Sequence, residues 1–246
     1  MCGFIGKISL EPINKEDLEI ANEPIHCRGP DSKKYEFFEE NELSFSLIFN
    51  RLSILDLYES ADQPMSSNGG NSILMFNGEI YNHLQLRKEL EAKNIQFHTS
   101  HSDSEVVLKG LEYYGKKFIS KLRGQFSIFY VDKRKRNILL ARDRVGQKPL
   151  YYHISNNTLV LGSNLIAVSK LVKNKTISQG SINEYLMNGV ISSPDTIFEN
   201  IKKLKPSELI EISYENNLKI IDNELFWDIS SFVDSKPFQN DEFFSI

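Results

Sequence analysis

Four short segments carry polar or nucleophilic residues where packing alone does not ask for them. Cys2 stands between the initiator methionine and a run of glycine and apolar residues, MCGFIG. If it only starts a strand, it packs as a small hydrophobe, as most free cysteines do. If Met1 is trimmed, Cys2 holds a thiol and a free α-amine on one carbon, a nucleophile with a base beside it. Cysteine is small enough for methionine removal, so the mature chain is expected to begin at Cys2. Arg51 opens the segment Arg51-Leu52-Ser53-Ile54-Leu55-Asp56 at the end of an apolar strand. Its planar fork suits the α-carboxylate of an amino acid, the alternative being a structural pair with Asp56 or another acid. In Asn77-Gly78-Glu79, a side-chain amide and a glycine N–H at a strand-to-helix turn can both point at one developing oxyanion, or simply make an ordinary turn. Asp103, just inside a helix capped by Ser102, complements the helix dipole and can equally face an ammonium. Nucleophile, oxyanion hole, carboxylate clamp and ammonium clamp together describe attack on an amide borne by a free amino acid.

The elements that must position these groups alternate between strands and amphipathic helices. Residues 2–10 read as a strand and 15–23 as a short helix ended by Pro24. Strands are expected at Tyr35–Phe38 and Leu43–Phe49 around the polar turn Glu39–Glu42, and again at Ile73–Phe76. After Asn77-Gly78 a helix is expected, with Ile80, Leu84 and Leu90 along its apolar side. Ser102-Asp103-Ser104-Glu105 has the spacing of a capping box, in which serine accepts from the third amide while Glu105 reaches back. Val107, Leu108 and Leu111 form the buried stripe of that helix, and Gly115 ends it. Hairpins are expected over 125–142 and 150–162, with short helices near 164–171 and 181–188 and a last hairpin near 208–221. Hairpins with helices grouped between them argue for antiparallel sheets covered by helices, an α+β layered domain.

Composition narrows the function classes. The 246 residues are 40% hydrophobic and 25% charged, ordinary for a globular protein, with a net charge of −4 that draws the chain to neither nucleic acid nor anionic lipid. The basic run Lys133-Arg134-Lys135-Arg136 reads as a solvated hairpin turn. No apolar stretch approaches the roughly 20 residues of a membrane span, and no signal peptide is read at the start. The expected location is the cytoplasm, where Cys2 and Cys27 stay reduced. Phosphate-loop, dinucleotide, HExxH, CxxC and GxSxG signatures are all absent. His98 and His101 flank a loop and read as polar residues before a helix rather than ligand contacts.

The segments MCGFIG, HCRGPDS, NRLSILDL followed by QPM, FNGEIYN, SDSEVVL and ARDRVGQKPLYY, in that order, closely resemble the N-terminal glutamine amidotransferase domain of glutamine-hydrolysing asparagine synthetases. The resemblance implies the N-terminal nucleophile hydrolase fold, a four-layer αββα sandwich of two antiparallel sheets. It also implies that Cys2 attacks the side-chain amide of L-glutamine with its own α-amine as general base, acting through a water, and that Asn77 and Gly78 hold the oxyanion. Arg51 would hold the substrate carboxylate, backbone atoms of Leu52, Ser53, Ile54 and Leu55 would line the pocket, and Glu79 and Asp103 would orient the α-amino end. The sequence departs from the family pattern at Cys27, where a histidine usually precedes the RGPD run, and His26 lies one step earlier.

A glutamine amidotransferase domain is therefore expected over 1–222, with 223–246 as a linker or tail leading toward a synthetase domain. That second domain's SGG-x-DS signature does not occur here, and Ser67-Asn68-Gly69-Gly70 does not match it. No cofactor or metal is expected in this chain; ATP and magnesium would serve the synthetase domain. The expected partners are L-glutamine and a synthetase domain or subunit, with neither nucleic acid nor membrane. The alternatives are an amidotransferase that sends ammonia to another acceptor, such as a surface-polysaccharide sugar, and a non-catalytic domain that binds glutamine. The aromatic residues Phe226, Trp227, Phe232, Phe238, Phe243 and Phe244 read either as a docking surface or as a tail folded back on its own domain.

Overall fold

The structure, a computed structural model, describes residues 2–155 and 157–232. In chain order the strands are β1 (Gly3–Ser9), β2 (Ser32–Glu40), β3 (Leu43–Arg51), β4 (Met65–Ser66), β5 (Ser72–Ile80) and β6 (Gly124–Asp132). They continue with β7 (Asn137–Arg142), β8 (Tyr151–Ser155), β9 (Thr158–Gly162), β10 (Lys202–Lys203), β11 (Glu208–Ser213) and β12 (Lys219–Leu225). The helices are α1 (Lys15–His26), α2 (His83–Glu91), α3 (Asp103–Tyr114), α4 (Leu165–Leu171) and α5 (Gln179–Asn188). One sheet runs β10-β8-β9-β1-β3-β2 and the other β12-β11-β7-β6-β5-β4. Every ladder among the described residues is antiparallel.

Three apolar layers hold the sandwich together. Between the sheets, Phe4, Phe49, Met75, Phe129, Leu140 and Leu161 form the central core. Leu18, Ala21 and Ile25 of α1 and Ala167 and Val168 of α4 cover the outer face of the first sheet through Ile5, Ile48 and Val160. Leu86 and Leu90 of α2 and Val107, Leu108 and Leu111 of α3 cover the second through Phe76, Phe126 and Ile128. Each of the larger side chains, valine upward, contributes about 1.5–3 kcal/mol when fully buried. This is the α+β, four-layer αββα arrangement expected from the sequence.

Several local expectations are corrected. Pro24 does not end α1, which continues to His26. Proline removes the bond to the carbonyl four residues earlier, and that carbonyl, of Ile20, instead accepts from Lys170 Nζ of α4 at 2.8 Å. Strand β5 runs through Asn77-Gly78 to Ile80 instead of breaking at a strand-to-helix turn, because nine residues pair with β6. The following helix starts at His83, and its buried face carries Leu86 and Leu90 while Leu84 is exposed. β2 and β3 pair as far as Glu40 and Leu43, so the turn shrinks to Asn41-Glu42, both with positive φ as a tight hairpin turn requires.

The capping box is half formed. Ser102 Oγ accepts from Glu105 N at 3.4 Å, while the Glu105 carboxylate turns to the backbone N–H groups of His98 and Thr99 and the Thr99 hydroxyl. The basic run 133–136 does form the β6–β7 turn, with Lys133 Nζ lying 4.0 Å from the Phe38 ring centre.

β12 carries the second sheet past residue 222 to Leu225. Phe226 stacks on Phe126 at 6.2 Å between ring centres, and its N–H donates to Ser207 O. The aromatic positions 238, 243 and 244 lie outside the described residues. No helix among those described is long and apolar enough to cross a membrane.

Candidate active site

Cys2 stands immediately before β1 and packs, partly buried, against the inter-sheet core. Its thiol donates to Leu52 O at 3.6 Å and accepts from Leu52 N at 3.4 Å, which ties it to the chain leaving β3. Burial pushes the Cys2 thiol pKa up, opposed by the Leu52 N–H, the positive chain terminus and Arg51. Both cysteines are free, and Cys27 is exposed.

A pocket of about 160 Å³ opens beside this thiol. Its walls bring together Cys2, Arg51, Leu52, Ile54, Leu55, Asn77, Gly78, Glu79 and Asp103 from segments spread over a hundred residues. Of the expected site residues only Ser53 stays out of the wall; its N–H is taken by Asp31 Oδ2 at 2.7 Å.

Each wall has its own cause. The Leu52–Ala61 segment wraps the Arg51 guanidinium, which donates to the carbonyls of Tyr58, Leu55 and Asp56 and to Asp62 Oδ1 at 2.6 Å. Its acidic partner is therefore Asp62 rather than the Asp56 carboxylate, which instead accepts from the N–H groups of Tyr58 and His101. Burial alone would raise the Asp62 carboxyl, but hydrogen bonds from Arg51, Lys34 and Ser32 outweigh it and hold the group below the usual carboxylate range.

Asn77 sits on the inner face of the second sheet, nearly fully buried, and its Nδ2 has no hydrogen-bond partner in the protein. Gly78 is bare for a reason: a Cβ there would stand 2.1 Å from Gln125 O on β6. An ordinary residue at this position would push β5 off its neighbour and move Asn77. Gln63 braces the same strand from the other side, exchanging hydrogen bonds with the N–H and C=O of Phe76 at 2.5 and 3.1 Å.

Asp103 opens α3 with one carboxylate oxygen, Oδ2, accepting from Ile80 N at 3.0 Å. Burial raises its pKa, while the N–H groups of Ile80 and Ser104 and the charge of His83 act against that rise.

The sequence reading does not single out the groups that complete the site. Lys148 lines the pocket, with its pKa lowered first by burial and then by the nearby Arg28 charge. It is carried there by Asp143, whose buried carboxylate accepts from the N–H groups of Val145, Gln147, Lys148 and Phe126. Arg142 closes the same loop by donating to Lys148 O at 2.8 Å and Leu204 O at 2.6 Å. Arg28 Nε donates to Cys2 O at 3.1 Å from the RGPD loop, where a Cβ on Gly29 would meet the Asn50 carbonyl at 2.2 Å. His98 and His101 are both outside the pocket wall, His98 contacting Asn68 Nδ2 at 2.6 Å. Among the described residues no cluster of histidine, cysteine or carboxylate side chains could hold a metal ion.

A thiol, an unpartnered amide donor, two cationic side chains and two carboxylates thus share one small pocket lined from both sheets. The same fold is seen in the solved glutamine phosphoribosylpyrophosphate amidotransferase of Bacillus subtilis, at a TM-score of 0.62 over 92% of this chain and 49% of that one, with 18% identity. Among curated proteins, the glutamine-hydrolyzing asparagine synthetase 1 of Bacillus subtilis is 34% identical over 223 residues, 89% of this chain and 34% of that protein. A putative asparagine synthetase 2 of Methanocaldococcus jannaschii is 30% identical over 250 residues, 94% of this chain and 47% of that protein. The chain spans a third to a half of the length of these two relatives. A family model described as the glutamine amidotransferase domain matches residues 1–226, and with that match the chain belongs to the glutamine amidotransferase domain family.

Proposed function

We propose that this chain hydrolyses L-glutamine to glutamate and ammonia through a thioester on Cys2, as the glutaminase part of a glutamine-dependent asparagine synthesis. The observation that carries the reading is the pairing, in one pocket, of the Cys2 thiol with a buried Asn77 Nδ2 that no protein group occupies. Once Met1 is removed, the Cys2 α-amine takes the thiol proton, and Sγ bonds the amide carbon of glutamine. The resulting oxyanion is held by Asn77 Nδ2 and the Gly78 N–H. The protonated amine returns its proton to the leaving nitrogen, ammonia departs, and a thioester remains. Water activated by the same amine adds to the thioester and releases glutamate with the thiol restored. Arg51 faces the substrate carboxylate, and Asp103 and Glu79 face its ammonium.

Ammonia release from glutamine by the purified chain, with its N-terminus read by mass spectrometry, tests this directly. An active preparation that fully retains Met1 overturns the mechanism. The rate should also depend on pH in one direction. The neutral, basic form of the α-amine grows as pH rises toward and past its ordinary pKa of about 7.7–8.0, and the thiol ionises above its own ordinary value. So kcat/KM should rise through neutral pH into the alkaline range. Because burial raises the Asp103 carboxyl, KM should climb on acidification sooner than an ordinary carboxylate would cause.

Arg51→Ala separates anchoring from substrate binding. It leaves the nearly buried Asp62 with Lys34 and Ser32 but without its closest cation, so the loss should stay below the roughly 3–5 kcal/mol of a fully broken buried pair. Unfolding in denaturant should show that loss, and glutamine KM should rise more than kcat falls. A variant with unchanged stability and KM would remove Arg51 from both roles.

A further inference from the structure

Strands β5 and β6 place Asn77 directly opposite Ser127, so both side chains stand on the inner face of the second sheet. Directly opposed antiparallel residues hold their Cβ atoms about 4.5–5.5 Å apart, within reach of a serine hydroxyl and an asparagine amide. Both residues are almost wholly buried, Ser127 at 0% and Asn77 at 1% exposure. Both carry a buried polar atom, Ser127 Oγ and Asn77 Nδ2, with no hydrogen-bond partner in the protein. Buried polar atoms are rarely left so, and two orphans on facing positions of one ladder are a matched donor and acceptor.

We infer that Ser127 is a positioning residue for Asn77. Its hydroxyl accepts one of the two Nδ2 hydrogens, directly after a χ1 rotation or through one shared water, and thereby aims the other at the substrate oxygen. A terminal amide torsion is broad and roughly two-fold, so without such a hold the amide can turn its oxygen toward the oxyanion. The remaining neighbour in the row cannot supply this hold. Arg142, opposite Ser127 on β7, spends its guanidinium on the carbonyls of Lys148, Leu204 and Gly146. The inference rests on the proposed role of Asn77 as oxyanion donor.

The test is a double-mutant cycle in the full chain. Ser127→Ala should lower kcat for glutamine about 3–10-fold, the scale of one neutral hydrogen bond, with KM unchanged. In the Asn77→Ala background the same substitution should change nothing, because its effect passes through the missing amide. Binding of the aldehyde analogue of glutamine, whose adduct with the thiol bears the same oxyanion, should weaken in Ser127→Ala while glutamine KM holds. An unchanged kcat in Ser127→Ala, or an equal drop in both backgrounds, overturns the inference while leaving the Asn77 reading intact. A wild-type rate in Asn77→Ala alone instead overturns the reading on which it rests. Thermal midpoints confirm that each variant is folded.

Discussion

A Cys2→Ala chain is expected to fold normally and to release no measurable ammonia from glutamine. The substitution removes one sulfur atom at the edge of the inter-sheet core, where Cys2 is only partly buried. The β1 ladder on both sides is backbone and stays. The pocket loses the one thiol among its lining residues. Deleting the nucleophile of a serine protease costs about 10⁶ in kcat, and a thioester route leaves no fallback once sulfur is gone. Circular dichroism with a thermal scan checks the fold, and coupled ammonia detection checks the rate. Turnover near wild type would show that another group does the chemistry. The same variant should still bind glutamine, because Arg51, Asp103 and Glu79 remain.

Asn77→Ala should lower kcat by roughly 10²–10³ with a small change in KM, the usual loss for one oxyanion donor. Strand geometry makes this a clean measurement. Asn77 is locked between β6 and the Gln63 clamp on Phe76, so alanine at this position keeps the backbone path. The orphan state of Nδ2 strengthens the expectation: apart from the hold inferred for Ser127, no protein hydrogen bond to Nδ2 is lost, so the stability change should stay near that of a small cavity. Stopped assays over a range of glutamine concentrations separate kcat from KM. A loss confined to KM would make Asn77 a ground-state contact and move the oxyanion site elsewhere.

What was legible in the sequence is what local chemistry dictates. Cys2 announces itself by standing next to Met1, Ser102 by its capping geometry, and the hairpins by their alternation and turn residues. The order of motifs from MCGFIG to ARDRVGQKPLYY carried the resemblance, and the family match over 1–226 agrees with it. Where a residue's role depends on a partner far along the chain, local reading failed. Asn77-Gly78 reads as a turn because the dipeptide favours turns, yet the pairing with Phe126 and Ser127 overrides that preference and makes it strand. Pro24 reads as a stop, yet Lys170 of another helix takes the freed carbonyl. Arg51 reads as a clamp for a substrate carboxylate or as a structural pair with Asp56 or another acid, and only the folded loop delivers Asp62 as its acidic partner. Lys148 lies inside the ARDRVGQKPLYY segment, where nothing local marks its side chain for the pocket, and Ser127 lies in none of the quoted segments. Both are placed by contacts far from any local pattern: Lys148 enters the pocket wall through the Asp143 hub, and Ser127 faces Asn77 across the β5–β6 ladder. Side-chain chemistry is a property of the residue. Which two side chains meet is decided by strand pairing and by the burial of apolar faces, and those are settled only when the whole sandwich closes.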